Sequence, residues 1–131
     1  MKKQQQSGFT LIELVMVIVI LGVLAAVALP KFVAVDADAK TAALNGVAGG
    51  LSSASAVNYA ARKAKGETGT TSTNKTVQVV NCTDVANALQ GGIPSGYTIT
   101  PLAVANDVTV SCTVTQSGTS ATATFTATGS T

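Results

Sequence analysis

The run from Phe9 to Pro30, FTLIELVMVIVILGVLAAVALP, carries one charge in its whole length, at Glu13. As a helix rising about 1.5 Å per residue it spans roughly 32 Å, close to the hydrocarbon thickness of a bilayer. Lys2 and Lys3 precede it, and positive charge on that side keeps the N-terminus cytoplasmic and sends the rest outward. A chain of 131 residues that commits so much apolar length to one helix has room for a single modest domain beyond it.

Three readings compete for this segment. A secretory signal peptide places its cleavage site after the apolar stretch, at small residues such as Ala25, Ala26 and Ala28. A plain single-span anchor accounts for the length and the lysines but leaves Glu13 without a reason. A carboxylate in a membrane segment is costly and marks function by default. The third reading is cleavage before the run, at Gly8, which keeps the whole run in the mature protein.

The residues that decide are Lys2-Lys3, then Ser7-Gly8-Phe9-Thr10-Leu11-Ile12-Glu13-Leu14, with Pro30 closing the stretch. They resemble the leader and cleavage motif of type IV prepilins, over about a quarter of the chain. The resemblance implies a leader at residues 1–8, cut between Gly8 and Phe9 by a prepilin peptidase that also N-methylates the new Phe9 amine. It further implies a homopolymeric filament in which Glu13 of one subunit meets the Phe9 amine of the next. Two unpaired charges in hydrocarbon are each costly, whereas opposite charges held together offset much of that penalty and fix the register of parallel helices. The competing account of Glu13 is a carboxylate that snorkels to the interface and gains from the helix dipole. Gly22 and Pro30 are the two helix-weakening positions of the stretch. In the family the segment between them partly unwinds on assembly; a simple bend at Pro30 is the alternative, and both stay open here.

Residues 9–65 read as one long helix, whose half at 9–30 is the membrane and filament-core part. Leu44, Val47, Leu51, Ala54 and Asn58 recur at spacings of three and four, a narrow stripe suited to packing on a sheet. Arg62, Lys63 and Lys65 sit where cations favour a helix C-terminus, and Gly66 follows as a stop; contact with DNA or an anionic surface is the weaker reading of that cluster. Residues 66–76 read as a polar surface loop. Asn74-Lys75-Thr76 and Asn81-Cys82-Thr83 match the glycosylation tripeptide, a pattern too common by chance to carry an assignment.

Residues 66–131 form the head. Thr83 or Asp84 can cap a short helix through Leu89, closed by Gly91-Gly92. The pattern then turns to period two, with Val108, Val110, Cys112 and Val114 on one face of a strand at 108–115. Ala121, Ala123, Phe125 and Ala127 share a face of a second strand at 121–128. Gln116 to Ser120 supply the hairpin loop, and Tyr97 to Pro101 a third strand. The fold class is α+β, a long N-terminal helix packed on a small antiparallel sheet. Cys82 and Cys112, an even count in an exported chain, read as one disulfide. It closes a loop of about thirty residues and stabilises by roughly 3–4 kcal/mol. Residues 81–99, Ala43 to Gly50 and Asn58 to Lys63 resemble the mannose-sensitive haemagglutinin-type pilins. That resemblance implies surface attachment and biofilm formation in a Gram-negative bacterium, with insertion in the inner membrane and its assembly machinery preceding export.

The functional expectation is a major pilin, the structural subunit of a surface filament for adhesion, biofilm formation or motility. A type II secretion pseudopilin or a minor pilin is the alternative. An enzyme is disfavoured: the chain has no His, and Asp84 and Asp107 are the last acids after Glu67. Two cysteines without His make half a metal-ligand set, so neither metal nor cofactor is expected. A net charge of +2 without a basic face gives nucleic acid no footprint. Five scattered aromatics, Phe9, Phe32, Tyr59, Tyr97 and Phe125, do not favour an electron-conducting stack.

Overall fold

The computed structural model describes residues 7–70 and 76–131. Lys2 and Lys3, most of the leader, and the first two residues of the Asn74-Lys75-Thr76 tripeptide lie outside the described residues. The chain divides into two compact units, Met1–Ala39 and Lys40–Thr131. One helix, α1 (Leu11–Lys65), contributes to both. A 3-10 turn (Cys82–Asp84), a one-turn helix α2 (Val85–Ala88) and three strands follow: β1 (Tyr97–Ile99), β2 (Thr109–Gln116) and β3 (Thr122–Thr128).

In the first unit the helix has nothing of its own to pack on. Its large apolar side chains are all exposed, from Val15 at 40% to Leu11 at 81%, as is Phe9 just ahead of it. The helix forms nonetheless, because helical geometry satisfies its interior backbone groups within the segment, save the one bond that Pro30 cannot donate.

In the second unit α1 buries one stripe: Leu44, Ala48, Leu51, Ser55, Asn58 and Arg62, alternating spacings of four and three. This corrects the expected stripe at two places. Val47 and Ala54 are half-buried at its margin, and Ala48 and Ser55 take the centre. The sheet is antiparallel in the order β1-β2-β3. Its register sets Val110 opposite Ala127, Cys112 opposite Phe125 and Val114 opposite Ala123. Cys112, Val114, Phe125 and Ala127 are buried, while Thr109, Ser111, Thr122, Thr124 and Thr126 face outward, as alternation demands. β3 is an outer strand, and α1 covers its open edge. Ser52 Oγ accepts from Thr126 N–H at 3.0 Å and Ser55 Oγ from Thr128 N–H at 3.0 Å. Two helix hydroxyls thus stand in for a missing neighbouring strand.

The remaining core comes from the connecting chain. Val79, Val85 and Val104 join Leu44, Leu51, Val114 and Phe125. Bridges Val79–Ser130, Asn81–Ala103 and Asn106–Gly129 tie these connections to one another and to the C-terminus. Gly129 is required by space: a Cβ there would lie 2.0 Å from the carbonyl oxygen of Ala105. The disulfide joins Cys82 to Cys112, with Cα atoms 5.9 Å apart, and both sulfurs' residues are buried.

Three details differ from the sequence expectation. The cap of the short helical segment is Asn81, two or three residues earlier than Thr83 or Asp84. Asn81 Oδ1 accepts from Thr83 N–H at 3.2 Å, and the Asp84 carboxylate takes Asn81 N–H at 2.8 Å and Val80 N–H at 3.0 Å. This reciprocal pairing satisfies donors that a cap at Asp84 would leave open. Leu89 is extended, so the helix closes at Ala88, ahead of the glycines. Val108 is exposed rather than inward, because it belongs to a turn in which its N–H bonds Ala105 C=O at 3.1 Å. That turn holds Asp107 at a φ of 60°.

Candidate assembly site

Gly8, Phe9 and Glu13 come together at the start of α1, exposed and lining one shallow concavity with Ser7. The local chemistry is a capping box that the sequence reading overlooked. Thr10 precedes the helix, and Glu13 is the third residue within it. Glu13 Oε2 accepts from Thr10 N–H at 2.8 Å and from Thr10 Oγ1 at 2.9 Å. Thr10 Oγ1 accepts in turn from Glu13 N–H at 3.4 Å. The signal was legible as Thr-x-x-Glu ahead of an apolar run. Its consequence is specific to a membrane. With Gly8 still attached, Phe9 nitrogen is an amide, and the carboxylate has no cation beside it among the described residues. Closing on the helix N-terminus supplies donors where the dipole is positive. The structure thus places the Glu13 carboxylate on the helix N-terminus, in a local capping role.

Gly22 and Pro30 both lie inside an unbroken α1. The space beside Gly22 is open, so nothing within this chain requires a glycine there. Neither residue touches the Glu13 site, and the disulfide belongs to the other unit.

The basic cluster at the end of α1 does not form a common face. Gly66, at a φ of 64°, lets the chain turn back, with its N–H on Lys63 C=O at 3.3 Å and Glu67 N–H on Arg62 C=O at 3.0 Å. Arg62 is buried; it donates to Gly69 C=O at 2.7 Å and lies 3.9 Å from Glu67. One turn earlier Asn58 pairs with both backbone groups of Val77, each at 2.7 Å, imitating a strand neighbour. Lys63 pairs instead with Asp107, sits 5.6 Å from the Tyr59 ring centre, and shares that carboxylate with Tyr59 OH at 3.0 Å. Hydrogen bonds from Lys63 and Tyr59 hold Asp107 below its ordinary pKa, and the same contacts raise Lys63 and Tyr59. Helix termination, the preferred reading of these cations, is joined by a packing role for Arg62 that charge alone could not reveal. The Asn81 glycosylation tripeptide is occupied too: Asn81 caps and Cys82 is bridged.

A helix whose first unit is uncovered apolar surface, together with a small disulfide-closed α+β unit, defines a membrane-inserting subunit with its own folded head. The prokaryotic N-terminal methylation motif matches residues 3–29. The type IV narrow pilus major component PilA5 of Thermus thermophilus is 39% identical over 106 residues, covering 81% of this chain and 78% of that protein. The chain belongs to the type IV pilin family. The type II secretion system core protein G of Pseudomonas aeruginosa is 48% identical, but over 46 residues, 35% of this chain and 32% of that protein. The fimbrial protein EcpC of Eikenella corrodens is 66% identical over 32 residues, 24% of this chain and 21% of that protein. No solved structure matches the chain.

Proposed function

We propose that this chain is the precursor of a major pilin, which polymerises through its N-terminal helix into a type IV pilus. The observation that carries the proposal is a helix with all its large apolar side chains exposed from Phe9 to Val35, interrupted by a single acid at Glu13. Such a surface needs an apolar solvent at every stage: lipid first, then neighbouring copies of itself. A prepilin peptidase removes residues 1–8 between Gly8 and Phe9 and methylates Phe9. The new amine of one subunit takes over the Glu13 carboxylate of another, releasing it from Thr10. The stretch between Gly22 and Pro30, helical in the lone chain, is where the filament gains length under tension.

The subunit waits in the inner membrane with residues 1–8 cytoplasmic, is taken up by the membrane assembly machinery, and ends outside the cell. Likeness of residues 81–99 to mannose-sensitive haemagglutinin-type pilins favours adhesion and biofilm formation on a Gram-negative surface. Similarity to the secretion protein extends over 35% of this chain, against 81% for the pilus component, so the pilus reading stands ahead of the pseudopilin reading. N-terminal sequencing of sheared surface filaments tests the proposal. Methyl-phenylalanine followed by Thr-Leu-Ile-Glu is expected. A cell-bound monomer that retains residues 1–8, with no filament containing this chain, overturns it.

A further inference from the structure

We propose that Lys31 and Asp38 form a second ionic contact between neighbouring copies of this chain, favoured by the same direction of axial stagger as Glu13 and the Phe9 amine. The inference rests on the filament reading above. Lys31 and Asp38 lie on α1 seven residues apart, so they share one stripe, separated by about 10.5 Å along the axis. That is too far to pair within the helix, where partners stand three or four residues apart. Both are exposed, and neither has an ion-pair partner among the described residues. Asp36 and Lys40 do have interactions of their own, which singles out the other two charges of the set.

Their surroundings make an unpaired state costly in an assembly. Phe32, Val33 and Val35 beside them are 72%, 70% and 64% exposed, large side chains that find cover only against other copies. Covering them strips water from the neighbouring charges, and a desolvated charge without a partner is strongly unfavourable.

The geometry says which partner is within reach. Lys31 follows Glu13 by eighteen residues, five whole helical turns, so both face the same way. In each pair the cation precedes the acid: the Phe9 amine before Glu13, and Lys31 before Asp38. Identical parallel subunits are related by one shift along the axis, and that shift moves every residue equally. Raising one copy until its Phe9 amine is level with Glu13 of its neighbour, about 6 Å, brings its Lys31 to the level of the neighbour's position 35. Asp38 is then about 4.5 Å further on, a gap that the four-carbon lysine stem spans. A shift of the opposite sign satisfies neither pair for that copy. The two contacts therefore select the same direction of stagger, and the reach of the lysine takes up the difference in length, one contact lying inside the apolar stretch and one beyond Pro30.

Charge exchange in cells that make no wild-type subunit tests this. Lys31→Asp alone and Asp38→Lys alone are each expected to lower the yield of sheared filaments at least tenfold, to about the level expected for one truncated partner of a desolvated pair. The combined Lys31→Asp, Asp38→Lys chain is expected to recover to within about twofold of wild type, because the pair is restored with its sign reversed. The neutral variants Lys31→Gln and Asp38→Asn guard against a mere defect of the reversed charges, and each should also reduce the yield. Wild-type yields from both reversed and both neutral single variants overturn the proposal. So does a combined chain no better than the single ones. Wild-type filaments that disappear with Glu13→Gln while all variants at 31 and 38 assemble normally leave the pilin reading intact and remove only this contact. A wild-type chain that makes no filaments removes the reading beneath it.

Discussion

Between Phe9 and Val35 of the first unit the large apolar side chains lie uncovered, whereas in Lys40–Thr131 leucines and valines of the same kinds are fully buried. Leu51, Val79, Val85, Val114 and Ala127 reach 0% exposure in the second unit, with Phe125 at 2% the one aromatic ring among them. The contrast teaches that apolar content here does not track core formation. The first unit keeps its greasy surface for an outside solvent. The second, built from Ala, Val and Thr, closes its core with a cystine and with polar side chains that satisfy backbone groups. Ser52 and Ser55 do so on β3, Asn58 on Val77 and Arg62 on Gly69.

The sharpest way to break the comparison is a change that disables one unit and leaves the other untouched. Glu13→Gln removes the charge that, in the proposed filament, meets a cation, but keeps much of the shape. Loss of one partner from a buried pair costs roughly 3–5 kcal/mol, so filaments should fall by two orders of magnitude or more. The thermal unfolding of the head, measured on detergent-extracted subunit, should not move. Filaments of normal number and length, counted by electron microscopy, would show that the carboxylate is dispensable.

The reciprocal change is Cys112→Ser. It opens a loop whose ends are 30 residues apart, and the head should lose about 3–4 kcal/mol. The polar hydroxyl also lands on a buried face, which adds to the loss. Chemical denaturation of the extracted subunit with and without reductant checks this, while membrane integration of the precursor should persist. Equal stability of oxidised and reduced protein would mean that the small core suffices by itself. A smaller effect, about 1–3 kcal/mol, is expected for Gly129→Ala, since the added methyl meets Ala105 C=O and the backbone must shift.

These sites differ in how far they could be seen beforehand. The N-terminal methylation motif was legible because its cues are local: an apolar run, one acid and a glycine at fixed offsets. The strand faces were legible for the same reason, since alternation through Val110, Cys112 and Val114 is written in adjacent residues. What escaped depends on partners distant in sequence. Arg62 looked like one of three equivalent cations until the turn at Gly66 brought Glu67 and Gly69 back to it. The capping role of Asn81 is supported from afar, since Leu102, twenty-one residues away, also donates to its side chain at 3.2 Å. Gly129 gave no sign of its role, because the crowding carbonyl belongs to Ala105. The Thr10–Glu13 box is the exception, a local signal eclipsed by the more prominent motif around it.

The smallest expected effect concerns Asp107, whose role is equally invisible in sequence because Tyr59 and Lys63 lie on α1. Its pKa is depressed by Lys63 and Tyr59, so just below the ordinary value of 3.8 the folded state releases a proton that the unfolded chain would hold. A depressed acid contributes stability above its unfolded pKa and loses it as pH falls through the folded one. Lys63, raised by the same contact, contributes below its unfolded pKa and loses that share as pH rises through its folded value. Stabilisation by the cluster should therefore form a plateau across neutral pH, falling off in acid and again in strong alkali. All three groups are solvent-exposed, and screening keeps such pairs weak. Asp107→Asn should accordingly lower the melting temperature slightly at neutral pH and low salt. The difference from wild type should vanish when the pH drops through the aspartate range, and shrink in high salt. The test has a built-in complication that works in its favour: Asp107 also holds a φ of 60°, a conformation Asn tolerates well. The backbone is thus matched between the two chains, and a persistent difference at low pH would mean that geometry rather than charge is what Asp107 contributes to the head.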